Sequence, residues 1–540
     1  MVGHTIAEIF GHILFSFTRS VAEHSNFPKS ENHSSLFGYN ALEDTGKEWY
    51  AQSVDEVIYQ EYGNSEASAS DYWTSNRPEV RIINASSTDD SEQTQEEISE
   101  SAMAWKHLRP SIFHTVLNSM YFGLFISVLS ASVAGLASIA AFYFSFQTQL
   151  ICLTRPKESI PIKLQWVITI SEVFSVCFMY FSCFLSIICY FRPFQISGLK
   201  STLFFLCFGF YILDSGYRIT MQALGLSQSR LTFTQKIPAM ATYHINICVL
   251  FYVLTRHLNP GPIKRQIKTL LLLIVACVAT QLSAVLVAYL IYPAYNKQEK
   301  TGKLIIAIFS PLIVVLLKGA SRVCVQRSWN RISYPSTSFV LLGTLYCGSA
   351  TMVRLLQVDL QSLESVAFIG VIHGIAEVIE RSTMVIIDHY SNQILEKRKI
   401  PLGGFRTPRR ERLAADICIM GMLYESSAII SVNGLLYLYQ YSYTTDSSPL
   451  LLFQLFVLTT SVPLSIEWFF TSVSIAIETR YQNMPIMAVW RRRWKRHVLV
   501  AVINIVMISI WASTSLLIAI RGRFVNETKD HCKMPFNLDP

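Results

Sequence analysis

The residues of this 540-residue chain best placed to do chemistry are ionisable groups embedded in apolar sequence: Glu172, Asp214, Arg218, His244, Arg354, His373, Glu377, Glu380, Arg381, Glu425 and Glu467. In hydrocarbon an unpaired charge costs at least about 2.5 kcal/mol, so such groups pair with one another, face a protein interior or line a water-filled path. Spacing sorts them. Asp214 and Arg218 are four apart and share one helix face, where they can neutralise each other. His373, Glu377 and Arg381 step by four along a single stripe, with Glu380 one residue aside. Such a helix offers an imidazole, a carboxylate and a fixed cation in sequence, the materials of a proton relay or an ion-binding strip. The competing reading makes the same charges structural staples between packed helices. A carrier requires Glu377, Glu425 and Glu467 to converge on one cavity, whereas static pairing requires each to be capped by an arginine.

Other chemistries find little support. His373 is followed four residues later by Glu377 but by no second histidine, so the two-histidine zinc helix is missing and no metal is expected. The chain carries no nucleophile elbow, phosphate-binding loop, kinase loop or dinucleotide fingerprint, and no soluble domain large enough to host one. The expectation is a protein that is not an enzyme and has no cofactor. A faint repeat runs from Glu377 to Asp388, Tyr390 and Asn392, and again from Glu467 to Glu478, Tyr481 and Asn483. If real, it pairs the seventh and eighth apolar stretches with the ninth and tenth, and transporters commonly place their sites at such interfaces. Pro463, four residues before Glu467, is expected to leave a backbone carbonyl without its amide partner near that carboxylate.

The elements that must hold these residues are eleven apolar stretches, near 113–145, 165–191, 201–224, 237–255, 267–292, 303–320, 336–357, 363–386, 414–440, 449–477 and 497–520. A hydrocarbon core about 30 Å thick takes roughly 20 residues of helix, and backbone amides in lipid must be satisfied within their own segment. The predicted fold is therefore an all-α polytopic membrane protein of about eleven spans over residues 111–522. Composition agrees, with 51% hydrophobic and 15% charged residues and a mean hydropathy of +0.35.

Residues 1–110 differ in kind. They hold 18 of the 37 acidic and only 7 of the 45 basic residues, and are rich in Ser, Glu, Asn and Asp, as in SEASASDYWTSN. A disordered acidic tail is expected, with a cytosolic partner as one possible use. Its one apolar run, Ile6–Phe17, is too short to span and lacks the basic start of a signal peptide, so a short surface helix is the better reading. Basic residues concentrate in KRQIK, RVCVQRSWNR, EKRKIPLGGFRTPRRER and WRRRWKR, which follow spans four, six, eight and ten. Retention of Lys and Arg in the cytoplasm puts those loops and the amino tail inside and the carboxyl tail, 523–540, outside. Asn-x-Ser sequons at Asn32 and Asn84 argue the other way, but weakly.

Arg491, Arg492, Arg493, Lys495 and Arg496 lie between tryptophans at a membrane boundary, which suits anchoring to anionic inner-leaflet lipids and not to nucleic acid. Nine of the eleven cysteines lie in or beside spans, while Cys152 and Cys532 are both expected outside, where they could join in a disulfide. The whole reads as a carrier of a small solute or ion, by alternating access coupled to protonation at His373 or Glu377, in the plasma membrane or an endomembrane. Its path would be lined by Glu172, Asp214, Arg218, His373, Glu377, Arg381, Glu425 and Glu467. The alternative is a non-transporting receptor or scaffold whose intramembrane charges pair statically.

Overall fold

In the computed structural model, the described residues are 112–144, 162–191, 198–226, 233–258, 261–291, 297–328, 337–358, 362–396, 408–443, 448–480 and 486–524, with Ile196, Ala294, Tyr295 and Met484 between them. The acidic tail, the Ile6–Phe17 run, the sequons, Cys152 and Cys532 lie outside them. The long helices among the described residues are α1 (Ile112–Phe144), α2 (Ile162–Tyr190), α3 (Lys200–Ala223), α4 (Phe233–Leu258), α5 (Ile263–Val285), α6 (Lys300–Ser328), α7 (Phe339–Val358), α8 (Leu363–Glu396), α9 (Pro408–Tyr443), α10 (Pro449–Arg480) and α11 (Ile486–Phe524). Each coincides with one apolar stretch of the sequence. α5 continues into a π-helical turn, Leu286–Ile291, and α11 is kinked at Arg493, whose φ of −134° and ψ of 17° leave the helical region.

Among the described residues, eight helices are long and apolar enough to cross a membrane: α1, α2, α4, α6, α7, α9, α10 and α11. The other three fall short for local reasons. α3 carries Lys200, Asp214 and Arg218, α8 carries Glu364, Glu377, Glu380 and Arg381, and α5 is apolar only over Gln266–Thr280. The outward faces are apolar, as at Phe113, Phe205, Leu213, Leu271, Leu316 and Leu450, while Asp214, Arg322, Arg354 and Glu467 are buried. That arrangement, inverted relative to a protein in water, makes the chain a multi-pass integral membrane protein.

The chain divides into two compact units. Among the described residues, one comprises 112–119 with Arg381–Cys418 and Ser472–Trp494, and the other comprises Met120–Glu380, Ile419–Thr471 and 495–524. Within the larger unit, α2 packs on α3, α3 on α4, α4 on α5, α5 on α7, and α7 back on α2, while α6 packs on α5 and α7. α7 is the central element, with 89% of its apolar window buried against 17% for α10. Its sequence permits this. A Cβ on Gly343 would stand 2.6 Å from Asn504 Nδ2 and 2.9 Å from Tyr424 Oη, so only glycine lets α7 approach α9 and α11 there. Apolar contacts close the ends. Phe142, Leu355, Leu435, Tyr439, Ala512 and Leu516 pack together, and Tyr439 Oη donates to the Ser513 carbonyl at 2.6 Å. Tyr295, Ala307, Leu356 and Ile369 form a second cluster, where Tyr295 Oη donates to the Leu356 carbonyl at 2.7 Å.

Candidate functional site

α7 places Arg354 and Gln357 three residues apart, hence on one face near its end. Arg354 Nη2 donates to Glu467 Oε2 on α10 at 2.9 Å and to Glu425 Oε2 on α9 at 3.3 Å. Thr471, one turn after Glu467, donates its hydroxyl to Glu467 Oε1 at 3.2 Å. Glu377 of α8 lies within hydrogen-bonding reach of the Glu467 carboxyl and close enough to Glu425 to repel it. The three carboxylates thus lie near one another, but Glu425 and Glu467 meet at an arginine, as static pairing requires, and not at the described cavity. Among the described residues no three His, Cys, Asp or Glu side chains are grouped to hold a metal.

Gln357 carries the site onward. Arg354 Nη1 donates to Gln357 Oε1 at 2.9 Å, and Gln357 Nε2 lies 2.7 Å from His373 Nδ1. His373 Nε2 in turn lies 3.2 Å from the Ala307 carbonyl on α6. That carbonyl is available for a reason written in α6 itself. Pro311 has no N–H, so the bond it would make to the carbonyl four residues back is missing. By the same rule Pro463 frees the carbonyl of Thr459 and not one beside Glu467, so the proline that matters here is Pro311.

A second set of cations flanks the cluster. Lys318 Nζ is 3.6 Å from Glu380 Oε2, lies 4.8 Å from the centre of the Tyr346 ring, and stands within electrostatic reach of Glu377 and Glu425. Arg322, fully buried, approaches Glu380 Oε1 at 3.9 Å and donates to Tyr346 Oη at 2.7 Å. Four carboxylates, Glu377, Glu380, Glu425 and Glu467, thus face the three fixed cations Lys318, Arg322 and Arg354. Phe470 closes one side of α8, since a Cβ on Gly374 would stand 2.3 Å from its ring.

The remaining expected residues lie elsewhere. On α2 and α3, Arg218 Nη1 donates to Glu172 Oε2 at 2.9 Å and Arg218 Nε to Asp214 Oδ1 at 3.1 Å. A turn away Thr169 donates to Gln222 Oε1 at 3.1 Å. A cavity of about 80 Å³, bordered by Ser182, Tyr190, Tyr243, Cys277, Thr344 and Met507, has no carboxylate in its wall. His244 faces outward on α4 and bonds the Met240 carbonyl of its own helix at 2.7 Å. In the smaller unit, Arg381 grips Glu478 with Nε and Nη2 at 2.9 and 2.8 Å, and Cys418 Sγ also donates to Glu478 at 3.3 Å. Arg381 is thus committed to Glu478, and the stripe His373–Glu377–Arg381 is divided between the two units.

Of the basic run, Lys495 and Trp494 are exposed, Trp490 is buried, and Arg496 donates to the Cys189 carbonyl. The side chains of Arg491 and Arg492 lie outside the described residues. None of the nine cysteines among the described residues is in a disulfide.

Sequence reasoning missed Gln357, Lys318, Arg322 and the Ala307 carbonyl. Two signals were there: Gln357 stands three residues from Arg354, and Pro311 stands four from Ala307. No family model, no curated protein and no solved structure matches this chain.

Proposed function

We propose that the chain is an eleven-span, non-enzymatic carrier of a small solute or ion, working by proton-coupled alternating access with the Arg354 cluster as its coupling centre. The observation that carries this reading is the imbalance, among the described residues, where α6, α7, α8, α9 and α10 meet: four carboxylates against three cations. Burying a net charge is costly unless something mobile neutralises it, and a proton or a cationic solute is mobile. In this reading the amino tail and the basic loops are cytoplasmic, Arg491, Arg492, Arg493, Lys495 and Arg496 hold anionic lipids, and the acidic tail is free to engage a cytosolic partner. Plasma membrane and endomembrane serve equally well.

The test is flux. The full chain is reconstituted in liposomes containing a trapped pH dye, the potential is clamped with potassium and valinomycin, and amino acids, monocarboxylates, sugars and organic cations are added in turn. The expected result is a solute-dependent pH change that is lost in Glu377→Gln and Glu467→Gln variants that still elute as folded protein. Absence of any solute-dependent proton movement, with variants that lose only thermal stability, overturns the carrier. The second reading, a receptor or scaffold, is favoured by the smaller unit. There Arg381–Glu478 and Arg412–Asp416 are buried pairs of opposite charge.

A further inference from the structure

The hydrogen bonds that join Arg354 to Ala307 run through four groups, and their donors and acceptors admit one assignment. A backbone carbonyl only accepts, so His373 Nε2 carries a hydrogen and donates to Ala307. In the neutral ring the other nitrogen is then an acceptor, so Gln357 presents its NH₂ to Nδ1. That leaves Gln357 Oε1 for Arg354, which is what the 2.9 Å bond from Nη1 uses. Every bond donates in the direction from Arg354 toward α6, and the last ends on the carbonyl that Pro311 leaves without its helical amide.

This arrangement cannot absorb a second ring proton without rearranging. With Nδ1 protonated, both imidazole nitrogens donate, so Gln357 has to turn its amide over to offer Oε1. Its NH₂ then meets the guanidinium, donor against donor, and the bond from Arg354 Nη1 is lost. Arg354 is left with Glu425 and Glu467 alone. We infer that Gln357 is a positioning residue that converts protonation of His373 on α8 into a change in how Arg354 of α7 holds the carboxylates of α9 and α10. The inference rests on the Arg354 cluster being the coupling centre, and it holds whether or not any given solute is carried. The charged groups that face this chain are Lys303, Lys318 and Arg322 from α6, Arg354 from α7, Glu377 and Glu380 from α8, Glu425 from α9 and Glu467 from α10, with Tyr295 beside Lys303 at 5.2 Å from its ring centre.

The full chain in nanodiscs, labelled with ¹⁵N-histidine, tests this directly, with His373 identified by the signal missing in His373→Gln. At neutral pH the ring is expected as the Nε2–H tautomer. On acidification its protonation should coincide with a shift of carboxylate stretching bands that Glu425→Gln and Glu467→Gln remove. Gln357→Glu supplies an acceptor that needs no turning and should raise the protonation midpoint of His373 by a pH unit or more, a tenfold change. Gln357→Met should leave His373 titrating while its link to the carboxylate bands disappears. If Gln357 variants do not fold, Pro311→Ala serves instead: it restores an N–H to the Ala307 carbonyl and should give mixed tautomers. An Nδ1–H tautomer in the native chain, or bands that move equally in Gln357→Met, overturns the inference. A failed flux assay alone touches the carrier reading and leaves these spectra unchanged.

Discussion

Arg218 and Arg354 lie in the same unit, each between two carboxylates, yet they are built differently. Arg218 is served by Asp214 one turn away on its own helix and by Glu172 on the adjacent α2, so its rung is nearly local. Arg354 takes Glu425 and Glu467 from helices 71 and 113 residues further along, and through Gln357 it reaches His373 as well. A rung between two neighbouring helices can only hold them together. A guanidinium shared among four helices, with one carboxylate in excess, has alternative arrangements of similar energy, and that is the material of a switch. The smaller unit supplies the extreme opposite case, since Arg381 and Glu478 form two parallel bonds with neither charge left over.

The sharpest way to break this contrast is to remove each arginine. Arg354→Met leaves Glu425 and Glu467 buried without their cation and is expected to cost about 3–5 kcal/mol, read as a lowered unfolding midpoint in nanodiscs. Adding Glu425→Gln and Glu467→Gln should recover most of it; no recovery would mean that Arg354 acts by packing. Arg381→Met is expected to cost slightly less, about 3 kcal/mol, and the double variant Arg381→Met/Glu478→Met should return close to the native midpoint because that pair is balanced.

Arg218→Met should cost less again, about 1–3 kcal/mol, since the guanidinium and Glu172 each keep 14% and 13% of their side-chain surface accessible. Gly374→Ala sharpens the comparison sterically. Its Cβ would meet the Phe470 ring, so a loss of about 1–3 kcal/mol is expected, restored by Phe470→Leu if α8 and α10 must approach this closely. The smallest effect belongs to His244→Gln, expected within about 0.5 kcal/mol because that ring faces outward and bonds only its own helix.

The helices were legible as elements but not in their ends, since α8 and α11 run about ten residues beyond their apolar stretches; a run such as FVLLGTLYCGSATMVRLL can satisfy its backbone in lipid in one way only. The candidate site was legible in its membership and not in its pairing. Glu377, Glu425 and Glu467 stand out as carboxylates in apolar sequence, but the spacing that puts Arg381 on the same stripe as Glu377 does not show that Arg381 grips Glu478. Gln357 went unnoticed because a neutral amide at a helix end raises no alarm in composition. Pro463 drew attention by its closeness to Glu467, while Pro311, in a span with no acidic residue, was the proline whose freed carbonyl receives His373.

That this chain crosses a membrane repeatedly, and that its embedded charges must find partners, follows from the sequence by itself, since both are consequences of what hydrocarbon does to a polar group wherever it sits. Which arginine meets which glutamate was decided only in three dimensions. Helices that are apolar toward lipid and apolar toward one another carry little imprint of their rotation or axial offset. A bond such as that between His373 and Ala307, 66 residues apart, exists only once both have been set by packing.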